Sequence, residues 1–221
     1  MLADRLDAVR TEIPAGVTLV VVTKFHPASL VRELHALGVR DFGESRHQEA
    51  SAKAAALADL ELDWHFIGQL QSNKAKAVRE YASVLHSLDR RSLLEALADQ
   101  EAEPIDAFIQ VNLTDDPGRG GVRPEELAAF AERALATPGV RLAGLMAVPP
   151  LEAEPAAEFA HVRELRDRVL LPAAPDATGL SMGMSGDWRA AIREGATHLR
   201  IGTAITGIRP DPAYARTRIE G

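Results

Sequence analysis

The chain has 221 residues, 46% hydrophobic and 26% charged, the proportions of an ordinary globular protein. Its 25 Lys and Arg against 32 Asp and Glu leave a net charge of −7, so there is no general electrostatic pull toward nucleic acid. The absence of Cys removes disulfides, thiolate metal sites and a cysteine nucleophile. The longest apolar strings, such as Leu19-Val20-Val21-Val22, fall far short of the ~20 residues that span a bilayer.

Residues 1–10 mix Asp and Arg and lack a long apolar core, so they do not read as a secretory signal, and the expected compartment is the cytoplasm. Residues 17–24 are apolar and β-branched and predict a strand. Pro27 suits the start of a helix, Leu30, Leu34 and Leu37 follow at helical spacing, and Gly38 stops it. A strand over 39–42 and an Ala-rich helix over 46–60 come next. The alternation continues with strands over 63–67, 83–86, 105–112 and 140–146. It ends with strands over 178–180 and 197–201. Between them, Ser72 predicts a cap for a helix reaching Tyr81, and helices follow over 91–101, 124–137, 154–170 and 187–194. The helix over 154–170 has an apolar face of Phe159, Val162, Leu165 and Val169.

Eight strands, nearly every one followed by a helix, predict a parallel sheet. Eight units fit a single (β/α)8 TIM-type barrel over residues 1–221, at the short end for that fold. An open doubly wound sheet is the alternative, weakened because no G-x-G-x-x-G turn follows the first strand.

Barrels collect their functional groups where strands end. Lys24 ends the first predicted strand, where partial desolvation would lower its amine pKa and favour a Schiff base with a carbonyl ligand. A lysine there also simply snorkels to water. Ser181-Met182-Gly183-Met184-Ser185 follows the seventh strand and Gly202-Thr203-Ala204-Ile205-Thr206-Gly207 the eighth, the two loops with which barrels often bind phosphate. Each is also ordinary turn chemistry. Arg200 shares a side of the last strand with Gly202, and either faces the mouth, toward a ring nitrogen or an acid group, or pairs outward with a helix carboxylate. His65 lies inside a strand, as a ligand contact or a hydrogen-bonded core residue. Asn112 ends the fifth strand, facing the mouth or forming a turn, and Gly43-Glu44-Ser45 either shapes the rim or caps the next helix. Histidines 26, 35, 47, 65, 86, 161 and 198 show no metal-binding spacing, and no G-x-S-x-G elbow is present. A carbonyl-reactive lysine beside a phosphate cradle leaves pyridoxal 5′-phosphate (PLP), or a phosphorylated sugar in a class I aldolase.

Several strings then carry a family resemblance. They include Val22-Thr23-Lys24, Phe42-Gly43-Glu44-Ser45-Arg46-His47-Gln48-Glu49 and Trp64-His65-Phe66-Ile67-Gly68-Gln69-Leu70-Gln71-Ser72-Asn73-Lys74. Further on come Gln110-Val111-Asn112, Gly144-Leu145-Met146, Leu180-Ser181-Met182-Gly183-Met184-Ser185 and Arg200-Ile201-Gly202-Thr203-Ala204-Ile205. Over residues 17–209 the chain resembles the YggS/PROSC family of PLP homeostasis proteins. The resemblance implies a barrel similar to the N-terminal domain of alanine racemase, with PLP held as a Schiff base on Lys24. It implies Ser185, Gly202 and Thr203 at the phosphate and Arg200 at the pyridine nitrogen, with His65, Asn112 and Met146 also at the cofactor. Two positions depart from the family pattern: Ser45 stands where Asn is usual, and Arg119, before Gly120-Gly121, where Lys is usual.

The expected role is PLP storage and delivery, with PLP-accepting apo-enzymes as partners, no nucleic acid, no membrane and a monomeric state. The alternative is a racemase-like PLP enzyme. Racemization needs a proton acceptor on each face of the substrate carbon. Lys24 serves one face, but Tyr81 and Tyr214 both lie away from predicted strand ends, and no length remains for a second, β-rich domain.

Overall fold

The computed structural model describes residues 1–208. Eight parallel strands close into a barrel in sequence order: β1 Thr18–Val22, β2 Asp41–Glu44, β3 Asp63–Phe66, β4 Val84–Leu88, β5 Ile105–Gln110, β6 Val140–Met146, β7 Gly179–Ser181 and β8 His198–Ile201. β8 returns to β1 with Val20 opposite Arg200 and Val21 opposite Ile201. The (β/α)8 expectation holds, and the open sheet is excluded by this closure.

The helices are α1 Leu2–Arg10, α2 Ala28–Ala36, α3 His47–Ala56, α4 Ala75–Arg79, α5 Arg91–Leu97, α6 Leu127–Leu135, α7 Pro155–Leu165, α8 Trp188–Arg193 and α9 Thr203–Thr206. Strand alternation divides the core in two. Val21, Phe42, Phe66, Leu85, Ile109, Leu145, Leu180 and Leu199 turn outward into the main apolar cluster shared with the helices. Val84, Phe108 and Met146 form a small cluster of their own.

Several boundaries differ from the sequence reading. α1 has no predicted counterpart; it buries Leu2, Leu6 and Val9 and is tied to α9 by Arg5 Nε donating to the Ile205 carbonyl (2.7 Å). Ser72 does not cap α4; it opens a short 3₁₀ turn, and its hydroxyl meets Ser92 Oγ. α5 stops at Leu97, and the segment after α7 widens into a π-helical turn over Arg166–Leu170. No helix among the described residues is long and apolar enough to cross a membrane.

Candidate functional site

Strand β1 stops at Val22, so Lys24 stands in the turn beyond the strand rather than at its last position. That turn is held on both sides. The buried Thr23 donates its N–H to the Gly43 carbonyl (3.1 Å) and its hydroxyl to Glu44 Oε1 (2.7 Å). Lys53 Nζ, from α3, donates to the Thr23 carbonyl (2.8 Å), to Glu44 Oε1 (2.6 Å) and to Glu49 Oε1 (2.7 Å). After Lys24, Phe25 takes a φ of +68°, unusual for an aromatic residue. Its N–H is taken by Glu49 Oε1 (2.5 Å) and its ring is covered by the Arg46 guanidinium at 4.8 Å. Such backbone costs about 1–3 kcal/mol and persists where the surroundings over-determine it. Glu44 has only 1% of its side chain exposed. Burial pushes its carboxyl up, while the Lys53 ammonium and the Thr23 hydroxyl pull it back.

Arg200 points into the barrel. It is 5% exposed, and donates from Nη1 to Ser181 Oγ (2.5 Å) and from Nη2 to the Ala147 carbonyl (3.0 Å). The outward-facing alternative, with a helix carboxylate as partner, is therefore excluded. Burial brings its pKa down to about 10, opposed by the Asp187 carboxylate, so it remains a cation at neutral pH.

The loops after β7 and β8 meet. Ser185 Oγ accepts from the Ala204 N–H (3.3 Å), and Gly202 is the residue before α9. A Cβ on Gly202 would stand 3.4 Å from Val22, two residues before Lys24, which places this loop beside the end of β1. Gly183 makes the β7 turn possible: its φ is +93°, its carbonyl accepts from the Arg200 N–H, and a side chain there would strike Ala191. This end of the barrel is polar and glycine-lined, and the turn that carries Lys24 lies beside it. Thr203 is exposed at the first turn of α9.

The remaining candidates separate. Met146 is buried against Val84 and Phe108. Asn112 lies beyond β5 and spends its side chain on a turn, with Nδ2 donating to the Asp116 carbonyl and Oδ1 accepting from the Thr114 N–H and hydroxyl. His65 has both ring nitrogens engaged, by Asp41 (3.0 Å) and His86 (2.9 Å). His65, His86 and His198 do converge, with ring centroids 5.1–6.3 Å apart, yet no group among the described residues is placed to hold a metal. Tyr81 follows α4, its hydroxyl 3.4 Å from His47 Nδ1, and Tyr214 lies outside the described residues.

A family model described as the alanine racemase N-terminal domain matches residues 1–210. The pyridoxal phosphate homeostasis protein of Pseudomonas aeruginosa is 47% identical over 199 residues, covering 89% of this chain and 86% of its own length. That of Escherichia coli K12 is 38% identical over 217 residues, covering 93% of each. This chain belongs to the pyridoxal phosphate homeostasis protein family. The structure of PipY from Synechococcus elongatus PCC7942 with PLP bound matches it with a TM-score of 0.87 at 40% identity, covering 94% of this chain and 100% of PipY. Alanine racemase from Corynebacterium glutamicum matches with a TM-score of 0.74 at 16% identity, over 95% of this chain and 60% of the racemase, a likeness of fold alone.

The family strings now have physical reasons. In Trp64-His65-Phe66-Ile67-Gly68, Trp64 packs outward on Phe42, and Gly68 lies so close over the Ser45 carbonyl that a Cβ would stand 2.1 Å from its oxygen. The departure at Arg119 leaves a guanidinium that donates to the Pro149 carbonyl (2.8 Å), joining two loops. Sequence reasoning assigned no role to Lys53, Glu49, His86 or Asp41, and it read Ser181 with the phosphate loop, whereas its hydroxyl lies between His86 and Arg200. The Glu49/Lys53 spacing of four on a helix was the one local signal among them.

Proposed function

We propose that this protein binds PLP at the C-terminal end of the barrel, holds it as a Schiff base on Lys24, and serves vitamin B6 homeostasis by keeping and delivering it. PLP, when bound, supplies an aldehyde that condenses with a primary amine and a phosphate that anchors it. The observation that carries this reading is the β1/β8 closure. It sets the Lys24 turn beside Arg200, Gly202 and the Ser185 loop in a chain whose relatives are PLP homeostasis proteins. Ser185, Gly202 and Thr203 would take the phosphate through hydroxyl and N–H donors. Arg200 would donate to the pyridine nitrogen. A group with a pKa near 10 does not hand that nitrogen a proton, which limits the ring as an electron sink and favours holding over turnover. The placement of Tyr81 against His47 also disfavours a two-base racemization.

The test is the absorption spectrum of the protein with added PLP, wild type beside Lys24→Ala. A yellow band in wild type alone, made permanent by borohydride, is expected. No band in a folded wild type overturns the reading and reopens the phosphorylated sugar. Robust alanine racemization lost in Lys24→Ala would overturn the carrier role.

A further inference from the structure

A single file of hydrogen bonds crosses the barrel interior, from the start of β2 to the loop after β6. Asp41 Oδ1 meets His65 Nε2 at 3.0 Å, His65 Nδ1 meets His86 Nε2 at 2.9 Å, and His86 Nδ1 meets Ser181 Oγ at 2.7 Å. Ser181 Oγ accepts from Arg200 Nη1 at 2.5 Å, and Arg200 ends the file on the Ala147 carbonyl. Five residues from five different strands take part.

The two ends dictate the direction. A carboxylate only accepts, so His65 carries its proton on Nε2. With the ring neutral, His65 Nδ1 is then an acceptor, and His86 must donate from Nε2. His86 Nδ1 accepts in turn from the Ser181 hydroxyl, which leaves the Ser181 lone pairs for the guanidinium, a group that only donates. From Arg200 Nη1 onward, every proton in the file points toward Asp41. Stacking on Phe108, with centroids 4.8 Å apart and planes 21° apart, fixes the His86 ring in this line. Among the described residues Arg200 makes no ion pair with a carboxylate. Its buried charge instead faces aligned dipoles that end on Asp41, whose side chain is 31% exposed at the opposite end of the barrel.

We propose that Asp41 is a positioning residue for the cofactor: through the tautomers of His65 and His86 it turns the Ser181 lone pairs toward Arg200 and so fixes the direction of the guanidinium that would meet the pyridine nitrogen. This rests on the PLP reading above. Were the file reversed, His86 would aim an N–H at Ser181, and the hydroxyl proton would compete with the guanidinium for space.

The test combines ¹⁵N NMR of the histidine rings in ligand-free protein with PLP equilibrium dialysis. Wild type is expected to show both His65 and His86 as Nε2–H tautomers; an Nδ1–H form at either ring overturns the proposal. Asp41→Asn keeps shape, but its amide meets His65 with either oxygen or N–H. It is expected to give mixed tautomers and a PLP Kd raised about three- to tenfold, the worth of one hydrogen bond. Wild-type tautomers and Kd in Asp41→Asn overturn the proposal. Asp106→Asn is the control, since Asp106 lies at the same end of the barrel and pairs with Arg141 instead. Equal effects of the two variants would mean bulk charge, not the file, and also overturn it. Failure of wild type to take up PLP defeats the proposed function, while the tautomers, read without ligand, still decide the relay.

Discussion

Two buried polar clusters stand behind Lys24 and Arg200, the two groups proposed to meet the cofactor, and they are built in opposite ways. The cluster behind Lys24 is ionic and local: Glu44, Glu49 and Lys53 fall within ten residues, on the end of β2 and the first turns of α3. The file behind Arg200 runs through uncharged side chains, with its members spread from Asp41 to Arg200. The difference lies in what each must hold. Lys24 sits on a turn with a left-handed Phe25, and an ammonium can take three acceptors and clamp a backbone carbonyl directly. Arg200 is on a strand already fixed by the sheet, so only the direction of its donors needs to be set. The ionic brace should therefore govern stability, and the neutral file should govern orientation.

The sharpest way to break this comparison is Lys53→Met. It leaves the Glu44 carboxylate buried without its cation, which typically costs about 3–5 kcal/mol. Urea unfolding should show a loss of that size, together with poor reaction of Lys24 with PLP. A loss under about 1 kcal/mol would mean the cluster is not an ionic brace.

His86→Phe tests the other side. It keeps the ring stacked on Phe108 but strips partners from His65 and Ser181, so the loss should be about 1–3 kcal/mol. The acid limb carries a related signature. Burial holds both His86 and His198 neutral in the fold, His198 down to a pKa of about 4. The unfolded chain protonates both near pH 6.5, so it binds more protons below that pH. Stability must therefore fall as pH drops through about 6.5, by up to about 1.4 kcal/mol per pH unit for each histidine. For His198 the fall continues to about pH 4. Thermal unfolding between pH 7 and 5 should show this slope, and His86→Phe should flatten it. An unchanged slope in the variant would mean His86 is protonated inside the barrel.

The same contrast explains what was legible in the sequence. The eight-unit rhythm was readable because outward strand residues such as Val21, Phe42 and Leu145 are apolar for one shared reason, contact with helices. The inward face of Arg200 was readable because alternation along a barrel strand offers only two sides, one of them the barrel interior. The inner file was not, because nothing local marks His65 and His86 as partners. Only the barrel closure brings β3, β4, β7 and β8 around one axis, and the histidine spacings, read for metals, miss a hydrogen-bonded file. Ser72 misled for a similar reason. Its hydroxyl has a tertiary partner, Ser92, and the helix after it starts through a 3₁₀ turn instead. α1 went unread because its apolar residues, Leu2, Leu6 and Val9, make a narrow stripe whose partners lie elsewhere, as with Arg5 and Ile205.

The smallest structural perturbation isolates the phosphate end from both braces. Ser185 touches neither cluster; its hydroxyl accepts one long hydrogen bond from the Ala204 N–H. Ser185→Ala should change stability by under about 1 kcal/mol, because that bond is weak and partly exposed. A hydroxyl donated to a phosphate is charge-assisted and stronger, about 1.5–3 kcal/mol, so PLP retention should weaken by about tenfold or more in equilibrium dialysis. The yellow band should still form at saturating PLP, since Lys24 and its brace are untouched. If retention is unchanged while the band persists, the phosphate is held without Ser185, and the Gly202 and Thr203 N–H groups must carry it alone. If the band disappears, the Ser185 loop acts on the Lys24 turn itself, and the division between anchoring and bracing fails.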